Sequence, residues 1–343
     1  MGAAADWHTF LDDFRAFGGR AENVMQRKGN FGLGIFPIDP SKPVDLFVPS
    51  ALLVPIDNIE LKDGNIVIKN DQNFPEGYSD WFKKYQEVYS WGAEGKERTL
   101  AFEKGLKALP ENIQNLLKNY ALYNPEVRFP EEDLDKEILQ RFILTRCINY
   151  QGNTVVMPII DLVNHAPSAD PYDVKNGGVA IGGTHEGEVL VRYNLMDPIR
   201  RLINYGFNAQ EPTGFSIRCR IKHQDHIVIV QGGKSEKPMQ PCKVIFEDDR
   251  FIIQQPLLGS QQRPKMPRTL FQQACSNFEA INANELFDQI QQFNRVALVK
   301  IIRELQDVDG ETASQLKNSC LDQLVAQSHY YGIREDILEA QKV

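Results

Sequence analysis

Trp7, Phe10, Leu11 and Phe14 recur at helical spacing near the start of the chain, and Gly18-Gly19 follows them as a stop signal. This spacing predicts an amphipathic helix whose aromatic stripe faces a core. The period then changes. Gly32 to Phe36 and Asp45 to Val54 are short apolar runs between glycines and prolines, and Asp63-Gly64 divides Ile59 to Ile68 as a hairpin turn would. The first part of the chain is therefore expected to be β-rich. From Tyr78 the helical period returns. Trp81, Phe82, Tyr85 and Tyr89 form one stripe, Ile113, Leu116, Leu117 and Tyr120 another, and Ile138, Phe142 and Ile143 a third.

Val155 to Ile160 reads as a buried strand, because it is β-branched and nearly free of polar groups. It stops at Asp161, Asn164 and His165, and Pro167 opposes any helical continuation. Short strands separated by glycines are expected at Val179 to Ile181 and Glu188 to Tyr193, followed by a helix-like Pro198 to Asn204. Phe215 to Ile221, His226 to Val230 and Lys243 to Ile253 read as further strands, and Gly259 to Arg268 as a connector. Leu286, Ile290, Phe293, Ala297, Ile301 and Leu305 then form a long helical stripe. Leu316, Cys320, Leu321, Leu324 and Val325 form a second, beyond a break at Asp309-Gly310. The pattern is that of an α+β chain: short sheets, a helical block inserted between two β-rich halves, and a mainly helical carboxy-terminal lobe.

Composition narrows the function classes. With 343 residues and 42% hydrophobic content, the chain can bury a full core in one large domain with a lobe, or in two domains. Lys and Arg number 38 against 46 Asp and Glu, a formal net charge of -8, so no overall basic field draws it to nucleic acid or anionic lipid. Cys147, Cys219, Cys242, Cys275 and Cys320 are scattered and lack Cys-x-x-Cys spacing, which argues for reduced thiols and against zinc clusters. No run approaches a membrane span and the amino terminus has no apolar signal core, so a cytoplasmic or nuclear protein is expected. His223 and His226 flank a predicted turn, but no third ligand clusters with them. A solvated hairpin is the better reading than a metal site.

The ordered set of motifs is more informative than any one of them. Gly32-Leu33-Gly34 lies near the amino end, Pro158, Asp161, Asn164 and His165 make Pro-x-x-Asp-x-x-Asn-His in the middle, a strand ends at Tyr193, and Tyr205-Gly206-Phe207 follows. This set resembles the SET-domain methyltransferases, and more narrowly the Rubisco large-subunit methyltransferase-like class. Val48-Pro49-Ser50-Ala51-Leu52-Leu53, Thr145-Arg146 and the helix from Trp7 to Gly19 are similar to further stretches of that class. The resemblance covers roughly the first two-thirds of the chain, and the last third in helical character alone. It implies a SET domain over residues 1–215, with a helical insertion at about 74–140, and a helical lobe over 216–343 resembling a substrate-binding lobe.

The same resemblance implies a metal-independent, S-adenosylmethionine-dependent transfer of methyl to a lysine of a non-histone protein. Gly32, Leu33 and Gly34 would let backbone approach the methionine portion of the cofactor, and Arg146 would pair with its carboxylate. Asn164 and His165 would hydrogen-bond its adenine and amino groups, with Asp161 shaping the turn. Tyr193 would carry the catalytic hydroxyl, with Tyr205 in reserve, while Tyr205 and Phe207 would wall the lysine channel or cover the adenine. Two departures stand out: Met196-Asp197-Pro198-Ile199-Arg200-Arg201 replaces the usual Ser-Asn and acidic residue, and Gly187-Glu188 sits slightly closer to Tyr193 than is usual. A histidine acceptor and a non-catalytic SET-fold interaction module are the alternatives.

Overall fold

Nine helices and nineteen strands alternate along residues 2–124, 134–175, 177–232 and 239–328, which are those described by the computed structural model. In chain order they begin with α1 (Gly2–Ala16), β1 (Arg20–Glu22), β2 (Val24–Gly29), β3 (Gly32–Pro37), β4 (Val44–Pro49), β5 (Val54–Pro55), β6 (Ile59–Lys62) and β7 (Asn65–Ile68). The helical block holds α2 (Tyr78–Lys84), two π-helical turns (Tyr85–Tyr89 and Trp91–Gly95), α3 (Lys96–Lys107), α4 (Glu111–Asn119) and α5 (Leu134–Arg146). Then come β8 (Cys147–Tyr150), β9 (Asn153–Val156), β10 (Asn164–His165), β11 (Asp173–Lys175), β12 (Gly178–Gly183) and β13 (Leu190–Val191). The remainder comprises α6 (Pro198–Tyr205), β14 (Thr213–Phe215), β15 (Cys219–His223), β16 (His226–Gln231), β17 (Val244–Glu247), β18 (Arg250–Gln254), β19 (Leu257–Ser260), α7 (Met266–Cys275), α8 (Ala283–Glu304) and α9 (Glu311–Ser328).

The chain divides into two units, residues 1–100 with 130–194, and residues 101–129 with 195–343. The first is built from short sheets: β1-β4-β12-β11, β5-β9-β8, and the hairpins β2-β3 and β6-β7. The hairpin β6-β7 turns at Asp63 and Gly64, both at positive φ, the backbone that a two-residue turn between twisted strands requires. The aromatic stripe of α1 is core, as its spacing requires. Phe10 stacks on Trp81 at 4.7 Å, and Trp81 on Tyr85 at 5.5 Å. The polar edges of these rings are satisfied: Trp81 donates to the Phe10 carbonyl at 3.1 Å, and the Tyr78 hydroxyl to the Leu52 carbonyl at 2.6 Å.

Two strands are shorter than their apolar runs suggest. The run Val155 to Ile160 leaves the sheet after Val156, because Ile159 adopts φ +71° and a 3-10 turn (Ile160–Leu162) follows. Of Glu188 to Tyr193, Leu190 and Val191 alone form a strand, pairing in parallel with Asn164 and His165. Past this pairing the Ala166 N–H still donates to the Val191 carbonyl at 3.0 Å, but the Tyr193 N–H turns to the His165 ring instead of continuing the ladder.

The second unit has two cores. Ile199, Leu202 and Ile203 of α6 pack with Ala297, Leu298 and Ile301 of α8 and with Leu316, Cys320 and Leu324 of α9. The second core fills the space between the sheet β15-β16-β18-β17 and the helices α7 and α8, with Val228, Val230, Phe251 and Ile253 against Phe271, Phe287 and Ile290. Lys243 to Ile253 is thus two strands rather than one, turned by Asp248 and Asp249 at positive φ.

Candidate functional site

The candidate site lies in the first unit, where β3, β10, β13 and the end of α5 meet the turn before Asn164. The Asn164 side chain donates from Nδ2 to the Leu33 carbonyl at 3.0 Å and to Glu188 Oε1 at 2.6 Å. A carbonyl and a carboxylate both take donors, so the amide has one orientation. Its Oδ1 is left as an acceptor, with no hydrogen bond to it among the described residues. Gly34 makes this packing possible, since a Cβ there would lie 2.2 Å from Glu188 Oε1 and 2.7 Å from Asn164 Nδ2. Gly32 serves differently: it turns the β2-β3 hairpin at φ +95°, a conformation that costs a side chain roughly 1 kcal/mol or more.

His165 is buried, and its Nδ1 accepts the backbone N–H of Tyr193 at 3.1 Å. That bond needs a lone pair on Nδ1, which places the proton of the neutral ring on Nε2. The Tyr193 ring packs against His165, at 5.1 Å, and against Tyr172, at 6.2 Å with the two ring planes nearly parallel. Its hydroxyl donates to the Val163 carbonyl at 2.8 Å. Tyr193 is thereby tied to a turn 28 to 30 positions before it.

Asp161 lies fully inside. Its carboxylate accepts from the Tyr85 hydroxyl and, at 2.8 Å, from Ser90 Oγ, while Arg146 Nη1 stands 3.7 Å away and donates to the Asp161 carbonyl at 2.8 Å. Burial pushes the Asp161 carboxyl above its ordinary range, and Arg146, Tyr85 and Ser90 pull it back. Burial and the nearby carboxylate hold the Tyr85 hydroxyl well above 10, so it remains a donor. Arg146 is fixed by Asp161 at one nitrogen, and its Nε and Nη2 find no acceptor among the described residues. Gly95 gives the guanidinium room, since a Cβ there would lie 3.3 Å from Nη2.

Gly34, Leu33, Asn164, His165 and Tyr193 are therefore brought together, and Arg146 and Asp161 form a linked pair. Tyr205 and Phe207 belong to the second unit. There Tyr205 ends α6 beneath the Arg201 guanidinium, 4.8 Å from its ring centre, and lies 6.0 Å from Phe207. Sequence reasoning did not single out Tyr85, Ser90 or Glu188 as site residues. Tyr85 lay in a helical apolar stripe, and the one signal for Glu188 was the short spacing to Tyr193. His223 bonds Gln289 at 2.9 Å and His226 packs on Phe246 and Phe251; among the described residues no three His, Cys, Asp or Glu side chains gather to hold a metal ion. Among those residues, no helix is long and apolar enough to cross a membrane.

No protein-family profile matches the chain, and no curated protein matches it. Among solved structures it is similar to the SET domain of LSMT bound to lysine and AdoHcy, at 13% identity and a TM-score of 0.43, over 100% of this chain and 94% of that one. The SET domain of LSMT bound to MeLysine and AdoHcy matches at 13% identity and 0.41, over 98% and 93%. Rubisco LSMT bound to sinefungin and monomethyllysine matches at 14% identity and 0.42, over 98% and 93%.

Proposed function

We propose that the chain is a SET-type, S-adenosylmethionine-dependent protein N-methyltransferase that acts on a lysine of a non-histone protein in a reducing, cytoplasmic or nuclear compartment. The observation that carries this reading is the oriented Asn164 amide, pinned to the Leu33 carbonyl beside Gly34 with its oxygen offered outward, and joined through His165 to Tyr193. The residues fit the cofactor. The Asn164 oxygen suits an amino group and the uncommitted edge of Arg146 suits a carboxylate. When bound, S-adenosylmethionine supplies a methyl group on a positively charged sulfur.

The remaining chemistry falls to side chains of this protein. A lysine of pKa near 10.4 must be held neutral, at a cost of about 4 to 5 kcal/mol at pH 7. An apolar surround disfavours its ammonium form, and alignment of the amine can supply roughly 7 to 11 kcal/mol of barrier reduction. The Tyr193 hydroxyl, with its proton committed to the Val163 carbonyl, acts toward an incoming amine as an acceptor and sets its direction. Substrate choice is assigned, as the family resemblance implies, to the helical insertion and residues 216–343.

Isothermal titration with S-adenosylmethionine tests the cofactor half of this reading. The wild type is expected to bind, and Asn164→Ala and Gly34→Val, shown to be folded, are expected not to. Tyr193→Phe is expected to retain binding and lose turnover. A protein that does not bind the cofactor, yet captures a partner protein, would replace the enzyme by a SET-fold interaction module.

A further inference from the structure

Glu188 is the residue whose spacing departs from the resemblance and which the chemistry above leaves unused. Its carboxylate sits between two positions that lack a Cβ. A side chain at Gly34 would meet Oε1 at 2.2 Å, and one at Gly29 would meet Oε2 at 2.7 Å. Either substitution would force the carboxylate to move, so Gly29 and Gly34 house Glu188. Oε1 takes one Asn164 amide hydrogen at 2.6 Å, and no hydrogen bond reaches Oε2 among the described residues. Beside the outward-facing Asn164 oxygen, a second acceptor with a negative charge is therefore held in place.

We propose that Glu188 orients the Asn164 amide and serves with it as the receptor for the ammonium group of the cofactor's methionine portion. This rests on the S-adenosylmethionine reading of the site. A cation is the ligand group favoured by a half-buried carboxylate with one uncommitted oxygen, because pairing offsets the burial that otherwise disfavours its charge. Burial already holds the Glu188 carboxyl above its ordinary range, and Arg27 of β2, stacked on the Phe36 ring at 4.0 Å, is the charged group that acts on it. Asn164 supplies direction and Glu188 supplies charge.

The test is titration of wild type, Glu188→Gln and Glu188→Ala with S-adenosylhomocysteine and with its deamino analogue, from pH 5 to 8, with folding checked by circular dichroism. Glutamine keeps an oxygen for Asn164 but loses the charge. Glu188→Gln is expected to weaken S-adenosylhomocysteine about 10-fold, the loss of one charge-assisted contact, while leaving the deamino analogue nearly unchanged. Wild-type affinity is expected to fall as pH drops toward 5, and this slope should vanish in Glu188→Gln. Glu188→Ala should weaken both ligands, since it also releases the amide. If Glu188→Gln binds both ligands as the wild type does at every pH, the ammonium assignment is overturned and the cofactor reading stands. A wild type that binds neither ligand overturns both.

Discussion

The Tyr85 hydroxyl donates to the buried Asp161 carboxylate and accepts the Ile159 N–H at 2.9 Å, so one phenol satisfies a charge and a turn. Tyr85→Phe removes both bonds and leaves an acceptor and a donor without partners inside the core. A loss of about 2 to 3 kcal/mol in unfolding free energy is expected, against about 1 kcal/mol for Ser90→Ala, measured by urea denaturation followed through tryptophan fluorescence. Equal losses for the two variants would refute the special place given to Tyr85.

Gly32 and Gly34 should fail in different ways when changed to alanine. Gly32→Ala places a Cβ at φ +95° and is expected to cost about 1 kcal/mol of stability with cofactor affinity retained. Gly34→Ala meets Glu188 and Asn164 instead, and is expected to reduce S-adenosylmethionine affinity about 10-fold or more by displacing the oriented amide. Thermal melts and calorimetric titration of the two variants separate these outcomes.

Arg201 and Glu211 form an ion pair at 2.6 Å with side-chain exposures of 0% and 1%. Arg201→Met leaves the carboxylate inside without its arginine, and a destabilisation of about 3 to 5 kcal/mol is expected. Adding Glu211→Leu removes the stranded charge, so the double variant should be more stable than Arg201→Met alone. A double-mutant cycle by denaturant unfolding gives the comparison.

Asp322 on α9 has its carboxyl pushed up to about 6 by burial, from an ordinary 3.8. A raised folded-state pKa means that the folded protein holds the proton more tightly than the unfolded one. The stabilisation is complete below about pH 4 and is lost as pH rises through about 6. Asp322→Asn should therefore flatten stability over that window and raise it at pH 7, as read by urea midpoints at pH 4, 5, 6 and 7. An unchanged pH profile would refute the raised value.

Local rules made some of this molecule legible. Asp63-Gly64 and Asp309-Gly310 interrupt their elements because positive φ is accessible there, and the aromatic stripe of α1 is buried as its period requires. The convergence of Gly34, Asn164, His165 and Tyr193 was foreseeable through the order of motifs, because that order resembles a known class, and not through any spacing rule. What spacing could not convey was direction. Tyr85 repeats with Trp81 and Tyr89 as core, yet its hydroxyl reaches a carboxylate 76 residues away. The π-helical turn beginning at Tyr85 breaks the 3.6-residue period on which the stripe was read, and such turns have no simple signature in a sequence. The division into units was equally hidden, because Phe102 and Leu106 continue a helical pattern while packing with Leu202 and Leu316 rather than with the residues before them.

Ile159 makes one bend of this architecture depend on a distant residue. A β-branched residue at φ +71° resists the conformation it holds, so the bend ahead of Asn164 and His165 has little tendency to appear in the isolated segment. It needs Tyr85, 74 positions upstream, to accept its N–H. Phe10, Trp81 and Tyr85 all precede Ile159 in the chain, so the group that satisfies this bend lies in the part of the chain made first. The bend that leads into Asn164 and His165 is therefore held from outside its own segment, and a change at Tyr85 reaches that turn through Ile159 without touching either residue.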